Sequence, residues 1–118
     1  MIVGVVGSRS FGNYVLMEKT LDTLVWEGVA VSISKIVSGG ATGADALAES
    51  YAKLRDIPIQ VFPADWDTHG RAAGPIRNRQ IVKASDLIVA FWDGKSPGTR
   101  STKGLTEKAG KPFLHVKI

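Results

Sequence analysis

The sequence contains no cysteine and no long apolar run, and each absence excludes a class of protein. Without cysteine, disulfide frameworks and thiolate metal sites are excluded, and a reducing compartment is compatible with the composition. No apolar run approaches the roughly 20 residues that a membrane-spanning helix needs. Residues 1–7 lack the basic start and long apolar core of a signal peptide and favour a strand. We therefore expect a cytoplasmic protein.

Basic residues are in modest excess, but they are scattered along the chain. The 118 residues include 15 Lys and Arg against 11 Asp and Glu, which gives a formal net charge of +4. This excess indicates anionic partners, whereas the lack of any block of five basic residues gives little support to duplex DNA binding. The length predicts one domain that spans residues 1–118.

Three common site motifs are also missing or incomplete. Gly94-Lys95-Ser96 is similar to the end of a Walker A loop, but Val89 stands where the first glycine is required. No G-x-G-x-x-G follows either of the first two predicted strands, so the usual NAD fingerprint is absent. One histidine and two loop carboxylates, in the stretch 65–69, are a poor ligand set, and a solvated or salt-bridged loop is favoured there. We predict no metal and no resident cofactor.

The stretch that organises the chain is 37–45. An apolar run ends in Ser38-Gly39-Gly40, and a helical pattern starts soon after, with Ala44, Leu47, Ala48 and Tyr51 on one face. A strand that passes through glycines into a helix brings bare backbone N–H groups together, which favours an anion. The alternative is a tight turn in which Thr42-x-x-Asp45 forms a capping box.

Hydrophobic patterns predict five strands that alternate with helices. The strands are expected at residues 2–6, 35–37, 58–62, 87–91 and 113–116. The helices are expected from Asn13 as N-cap to Gly28, from residue 44 to about 55, after Pro75, and over 99–109. Residues 29–34 are interpreted as a short strand or an extended link, and residues 63–74 as the longest irregular stretch.

This alternation predicts the α/β class, with a Rossmann-like doubly wound sheet of about five mainly parallel strands and helices on both faces. Right-handed crossovers then gather the turns at the carboxyl ends of the strands. The further residues expected there are Gly7, Ser8, Arg9, Asp65, Trp66, Arg77, Asn78, Trp92, Gly98, Thr99 and Arg100.

Some of these residues have a second interpretation. Arg77 and Asn78 are predicted to face the sheet, where Arg77 needs an anion or a salt bridge to Asp65 or Asp67. Trp66 and Trp92 are expected in loops, where each either stacks on a base or covers the rim of the core. His115, on the last strand, is most simply a packing residue.

Several motifs occur in an order that points to one family. Gly7-Ser8-Arg9, the segments 38–45, 64–66 and 73–78, and Gly98-Thr99-Arg100 resemble the YspA/YpsA-related branch of the SLOG superfamily. That superfamily unites the DNA-processing protein DprA with the LOG phosphoribohydrolases. The resemblance implies a Rossmann-like domain that binds a nucleotide or nucleotide-derived ligand. It assigns ligand binding to the residues named above together with Ser38, Gly39, Gly40, Thr42, Gly43 and Asp45.

The resemblance leaves the reaction open. The enzymatic relatives use an arginine before the fourth strand, to which Arg77 is similar in spacing, and a Pro-Gly-Gly-x-Gly-Thr-x-x-Glu loop after it. This chain has Ser101-Thr102 at the place of the glutamate, so the carboxylate expected to support an oxocarbenium-like transition state is missing. The primary prediction is a sensing or ligand-handling module that binds a nucleotide.

Two alternatives remain. One is a nucleoside 5′-monophosphate phosphoribohydrolase in which Arg77 is the candidate catalytic residue and Asp45, Asp65 or Asp93 substitutes for the glutamate. The other is binding of single-stranded nucleic acid in the manner of DprA.

The first predicted helix carries more apolar surface than one buried stripe requires. Apolar residues are consecutive at 14–17 and at 24–26. Apolar helix faces that remain after core packing favour a partner, so we predict a homodimer or a higher even-numbered oligomer. The alternative is that Trp26 covers a loop and that Val15 and Leu16 meet the 29–33 segment.

Overall fold

The computed structural model describes residues 1–28 and 32–118, and it contains five strands and five helices in alternation. The strands are β1 (Ile2–Gly7), β2 (Lys35–Ser38), β3 (Ile59–Val61), β4 (Leu87–Trp92) and β5 (Phe113–Lys117). The helices are α1 (Tyr14–Trp26), α2 (Ala44–Leu54), α3 (Trp66–His69), α4 (Ala73–Ala84) and α5 (Pro97–Lys108), with a 3₁₀ turn over Gly70–Ala72. The described part of the predicted 29–34 segment has no strand, and residues 29–31 lie outside the described residues.

All five strands are parallel, in the order β3-β2-β1-β4-β5. The chain first winds outward from β1 to β3 and then returns to build β4 and β5 on the other side of β1. The order therefore reverses between β1 and β4, and a crevice forms at such a point outside the carboxyl ends of the strands. The predicted α/β doubly wound fold is confirmed.

Helices cover both faces of the sheet. On one face α1 and α2 pack on β1, β2 and β4 through Met17, Leu21, Leu24, Ala48 and Tyr51. On the other face α4 and α5 pack through Ile81, Val82 and Leu105. All six residues of β4 are buried, because this strand is covered on both faces.

Helices α1 and α2 begin where predicted, but the capping box that was the alternative interpretation of the second turn does not form. The Asn13 side chain caps α1 by accepting a hydrogen bond from the Leu16 N–H at 3.1 Å. At α2 the N-cap is Gly43, and no side chain caps it. The predicted capping box is therefore absent: the Asp45 side chain instead reaches back to the Ala41 N–H at 3.1 Å.

Two predictions about irregular structure are wrong. Most of residues 63–74 is helical, because the Asp65 carboxylate accepts the Thr68 N–H at 3.2 Å and so starts α3, which leads through the 3₁₀ turn into α4. Trp92 is not in a loop either: it is the last residue of β4 and is 4% exposed. Along the described residues, no helix has the length and apolar character that crossing a membrane requires.

Candidate functional site

A cavity of about 420 Å³ lies at the carboxyl ends of β1 and β4, where the strand order reverses. It brings together the β1–α1 turn, the start of α2, the first turns of α4 and the β4–α5 turn. Its lining is Val6, Gly7, Ser8, Arg9, Ser10, Ala41, Asp45, Arg77, Asn78, Ile81, Ser96, Gly98, Thr99 and Thr102. The structure thus brings several turns together at the carboxyl edge of the sheet, as the sequence predicted.

The β1–α1 and β2–α2 turns are joined directly to each other. The Ala44 N–H donates to the Ser8 carbonyl oxygen at 3.0 Å, and the Thr42 hydroxyl donates to the Arg9 carbonyl oxygen at 3.3 Å. Gly43 allows this approach, since a Cβ there would overlap the Ser8 carbonyl oxygen. In this structure Thr42 and Gly43 therefore hold two turns together, and neither lines the 420 Å³ cavity.

The amides of the Gly39–Ala41 turn already have partners within the chain. The Ala41 N–H donates to the Asp45 carboxylate at 3.1 Å, and the Gly40 N–H donates to the Ser38 hydroxyl at 3.1 Å. Ser38 is fully buried, and its hydroxyl in turn donates to Glu49 at 3.0 Å. An internal carboxylate thus occupies a place at this turn where an external anion was expected.

Asp45 is a buried acid in the cavity wall, with 8% of its surface exposed. Burial raises the pKa of its carboxyl, and the Ala41 N–H and the Arg77 guanidinium offset only part of that effect. Asp45 is therefore easier to protonate than an exposed aspartate. As an acceptor or as a protonated donor, it can hydrogen-bond a polar group of a ligand in the cavity.

Arg77 enters the site from α4 and is held by two hydrogen bonds. Its Nη1 donates to the Gly39 carbonyl oxygen at 3.1 Å, and its Nε donates to Asn78 Oδ1 at 3.2 Å. Gly39 leaves room for it, because a Cβ at Gly39 would lie 2.7 Å from Nη1. The Asn78 Nδ2 donates to the Gly98 carbonyl oxygen at 3.4 Å, which ties α4 to α5.

No carboxylate forms an ion pair with Arg77 among the described residues. The predicted alternative, a salt bridge to Asp65 or Asp67, is therefore wrong in this structure, and Asp65 is engaged in capping α3. The half-buried Arg77 guanidinium hydrogen-bonds only neutral groups and forms no ion pair, although the Asp45 carboxyl lies close enough for their charges to interact. It is the group in the cavity wall best suited to an anionic ligand.

The start of α5 forms the opposite wall. Its N-cap, Ser96, makes no side-chain capping bond, so the first-turn N–H groups lack that partner. Thr99 and Thr102 are buried and line the cavity. Asp93 shapes the approach to the helix by accepting the N–H groups of Ser96 and Lys95, and these bonds lower the pKa of its carboxyl.

A second cavity of about 330 Å³ adjoins the first and shares Arg9, Ala41 and Arg77 with it. It lies over the glycine turn and is closed on one side by Trp66, which is 53% exposed. The two cavities together form a cleft, with Arg77 at their junction. The further lining residues of the second cavity are Gly39, Gly40, Thr42, Pro63 and Ala64.

Five predicted site residues, Ser38, Gly43, Asp65, Trp92 and Arg100, lie outside both cavities. Trp92 packs on His115 with ring centroids 5.0 Å apart, and its Nε1 donates to the Ser96 carbonyl oxygen at 3.1 Å. Asp65 caps α3, and the Thr68 hydroxyl and N–H lower the pKa of its carboxyl. Arg100 is exposed and donates to the Gly94 carbonyl oxygen at 3.2 Å.

Six residues that line the 420 Å³ cavity were not predicted as site residues. Two of them, Val6 and Ile81, also pack in the core, and three of the other four have a signal in the sequence. Ser10 and Ala41 adjoin predicted motif residues, and Thr102 follows Thr99 by three positions, which puts both on one helix face. Ser96 enters the cavity through the geometry of its turn, and no spacing in the sequence indicates it.

The fold defines a Rossmann-like domain with a cleft at its topological switch point. The family model that matches residues 1–69 is YAcAr, the YspA, cpYpsA-related SLOG family. A relative, the Gene 61 protein of Mycobacterium phage D29, is 37% identical over 105 residues, covering 79% of this chain and 84% of its own. The chain therefore belongs to the YspA, cpYpsA-related SLOG family, as the sequence motifs predicted.

Two solved structures share the fold. DNA processing protein A (DprA) from Helicobacter pylori, described for its single-stranded DNA binding mode, matches with a TM-score of 0.64 and 22% identity. DprA from Streptococcus pneumoniae matches with a TM-score of 0.68 and 20% identity. The match covers 98% and 96% of this chain, which spans 64% and 49% of those two chains.

Proposed function

We propose that residues 1–118 form one domain that binds a nucleotide or nucleotide-derived ligand in the cleft at the switch point. The observation that carries this proposal is Arg77, which lies at the junction of the two cavities without a carboxylate ion-pair partner among the described residues. Its guanidinium is oriented by Gly39 and Asn78 before any ligand arrives. Such preorganisation reduces the entropy that binding must overcome.

The groups in the cavity walls support a role for each part of the proposed ligand. In this proposal a phosphate lies between Arg77 and the first turn of α5, where N–H groups and the Thr99 hydroxyl are available. Arg9, exposed at the mouth of both cavities, adds a second positive charge. Asp45 accepts a hydrogen bond from a hydroxyl or amino group of the ligand, and Trp66 offers a face for a base.

Thermal shift against mononucleotides, cyclic dinucleotides and ADP-ribose derivatives tests the proposal. A ligand at about 100 times its Kd adds roughly 2.7 kcal/mol to the free energy of unfolding, which raises the melting temperature measurably. We expect Arg77→Gln to abolish the shift and Arg79→Gln to retain it, because Arg79 lies on the exposed side of the same helix. Absence of a shift with every compound at millimolar concentration, or equal loss in both variants, contradicts the proposal.

A hydrolytic variant of this function rests on Asp45. Thr102 lies in the wall near the place of the family glutamate, and its hydroxyl donates to the Gly98 carbonyl oxygen at 3.4 Å. Asp45 is the carboxyl in the cavity wall, and a raised pKa suits a general acid. If the domain is a phosphoribohydrolase, free base is released from AMP, CMP or GMP, and Asp45→Asn abolishes the release while ligand-induced stabilisation persists. Release that is unchanged in Asp45→Asn or Arg77→Ala contradicts this assignment.

Binding of single-stranded nucleic acid is a second candidate function, favoured by the likeness to the DprA fold and by exposed Trp66 next to Arg9. Stacking of a base on an aromatic side chain contributes about 1–3 kcal/mol. If this function holds, a long oligonucleotide binds far more tightly than a mononucleotide, and its affinity falls steeply with salt. Equal affinities for the two ligands reject it.

A further inference from the structure

A groove that is separate from the ligand cleft lies between the C-terminal turns of α4 and α5. It encloses about 340 Å³. Because α4 leads into β4 and α5 leads into β5, the groove lies toward the amino ends of these strands, away from the cleft. Its floor is formed by Val82, Leu105 and Ala109, and its rim by Arg79, Lys83, Lys108 and Lys111. Within the described residues, the lining contains four basic side chains and no acidic one.

The groove belongs to the basic side of a domain whose charge is divided between the faces of its sheet. Helices α4 and α5 together carry six basic residues and one acidic residue. Helices α1 and α2 on the other face carry two basic and four acidic residues. The basic residues are scattered along the sequence, but the fold brings most of those on helices to one layer. The net charge of +4 is therefore distributed unevenly over the domain.

Internal structure accounts for only one of the rim cations. The Lys111 Nζ donates to the carbonyl oxygens of Val82 and Lys83, at 2.7 and 3.2 Å, and so satisfies the end of α4. Lys83 and Lys108 are exposed and form no ion pair with any described carboxylate. Arg79 is also exposed and makes a long hydrogen bond of 3.5 Å to the Pro75 carbonyl oxygen. Three cations thus surround an apolar floor without a carboxylate partner.

We propose that this groove binds an acidic peptide segment of a partner protein, with one large apolar side chain as its anchor. The anchor packs on Val82 and Leu105, and carboxylates before and after it pair with the rim cations. The apolar floor decides between an acidic peptide and a nucleic acid. A phosphate backbone has no apolar group to bury, and the lining includes no aromatic side chain on which a base would stack.

The test measures fluorescence anisotropy of a short fluorescein-labelled peptide in which aspartates flank a single phenylalanine. Two further peptides replace either the phenylalanine by glycine or the aspartates by asparagine. The rim variant combines Lys83→Glu with Lys108→Glu. Its matched control combines Lys19→Glu with Lys53→Glu, which changes the net charge equally at exposed sites on α1 and α2.

We expect the acidic, phenylalanine-containing peptide to bind, and the rim variant to weaken its binding by about tenfold or more, against less than about twofold for the control. Both altered peptides should also lose affinity. An equal loss in the rim and control variants, or unchanged binding of the glycine peptide, would show non-specific attraction and overturn the proposal. Absence of binding at millimolar peptide also overturns the proposal. So does a single-stranded oligonucleotide that binds more tightly than the peptide and whose affinity the rim variant lowers. None of these results depends on the nucleotide cleft, because Arg77 and the cleft remain unaltered.

Discussion

Gly43 lies at a position that requires glycine for two reasons, its backbone conformation and the lack of space for a Cβ atom. Its backbone has φ 74° and ψ −126°, a combination that lies outside the regions open to side-chain-bearing residues. A Cβ at this position would overlap the Ser8 carbonyl oxygen and lie 2.5 Å from the Arg9 carbonyl oxygen. The change Gly43→Ala therefore forces the β1–α1 and β2–α2 turns apart.

The cost of this change follows from the contacts that it disturbs. Backbone strain contributes about 1–3 kcal/mol. Separation of the turns also weakens the bond from the Ala44 N–H to the Ser8 carbonyl oxygen, worth about 1 kcal/mol. We expect Gly43→Ala to lower the free energy of unfolding by about 2–4 kcal/mol, a large fraction of the 5–15 kcal/mol that is typical of a domain.

Gly110→Ala is the matched control. Gly110 has a similar φ of 69°, but a Cβ there would meet no described heavy atom within 4 Å. This variant should lose only about 1 kcal/mol from the left-handed backbone. Urea unfolding followed by circular dichroism measures both, and a loss of about 3 kcal/mol moves the midpoint by roughly 2 M at an ordinary slope. Equal destabilisation by the two substitutions would refute the claim that the contact between the turns determines the need for glycine at position 43.

Three further predictions concern single side chains. Burial raises the pKa of Asp45, so the native state binds this proton more tightly than the unfolded chain does. The free energy of unfolding of the wild type should therefore fall as pH rises from about 4 toward the folded pKa. Urea unfolding should show a smaller fall for Asp45→Asn, and parallel curves for the two proteins contradict this prediction. Asp22→Ala should lower the free energy of unfolding by about 2 kcal/mol, because it leaves the buried Tyr51 hydroxyl without its acceptor and removes one of the two carboxylates that pair with Arg55. Glu18→Ala removes only the exposed ion pair with Arg55, which is worth no more than about 0.5 kcal/mol, and urea unfolding measures both variants. We also propose a homodimer that forms through α1, because Trp26 on this helix is 80% exposed. Light scattering should give twice the chain mass for the wild type and one chain mass for Trp26→Glu, and a monomeric wild type contradicts the proposal.

The fold was predictable because its strands and helices carry local signals. A continuous apolar run such as Leu87–Trp92 indicates a strand that is covered on both faces, and the structure buries all of its residues. Asn13 indicates where α1 starts, and its side chain makes the capping bond. Once parallel strands alternate with helices, the chirality of the crossovers brings the turns to one edge without further information.

The errors at Trp92 and Thr42 share a physical cause, which is competition from partners that are distant in sequence. Trp92 was expected near a ligand since it follows an apolar run, but its indole packs on His115 across the edge of the sheet. Thr42 and Asp45 have the spacing of a capping box, yet each side chain finds a different backbone partner once two turns meet. Spacing along the chain does not carry that information, because the winning partner is set by the tertiary fold.

The placement of Asp45 also changes which part of the cleft suits an anion. A glycine-rich turn before a helix favours a phosphate when its amides are bare, but here the Ala41 N–H already donates to an internal carboxylate. A phosphate at the same turn would meet the charge of Asp45 at short range or require its protonation. The start of α5 has no side-chain cap, and Arg77 faces it across the cavity. We therefore infer that the glycine turn shapes the cleft and orients Arg77 through the Gly39 carbonyl oxygen, while the negative charge of the ligand lies toward α5.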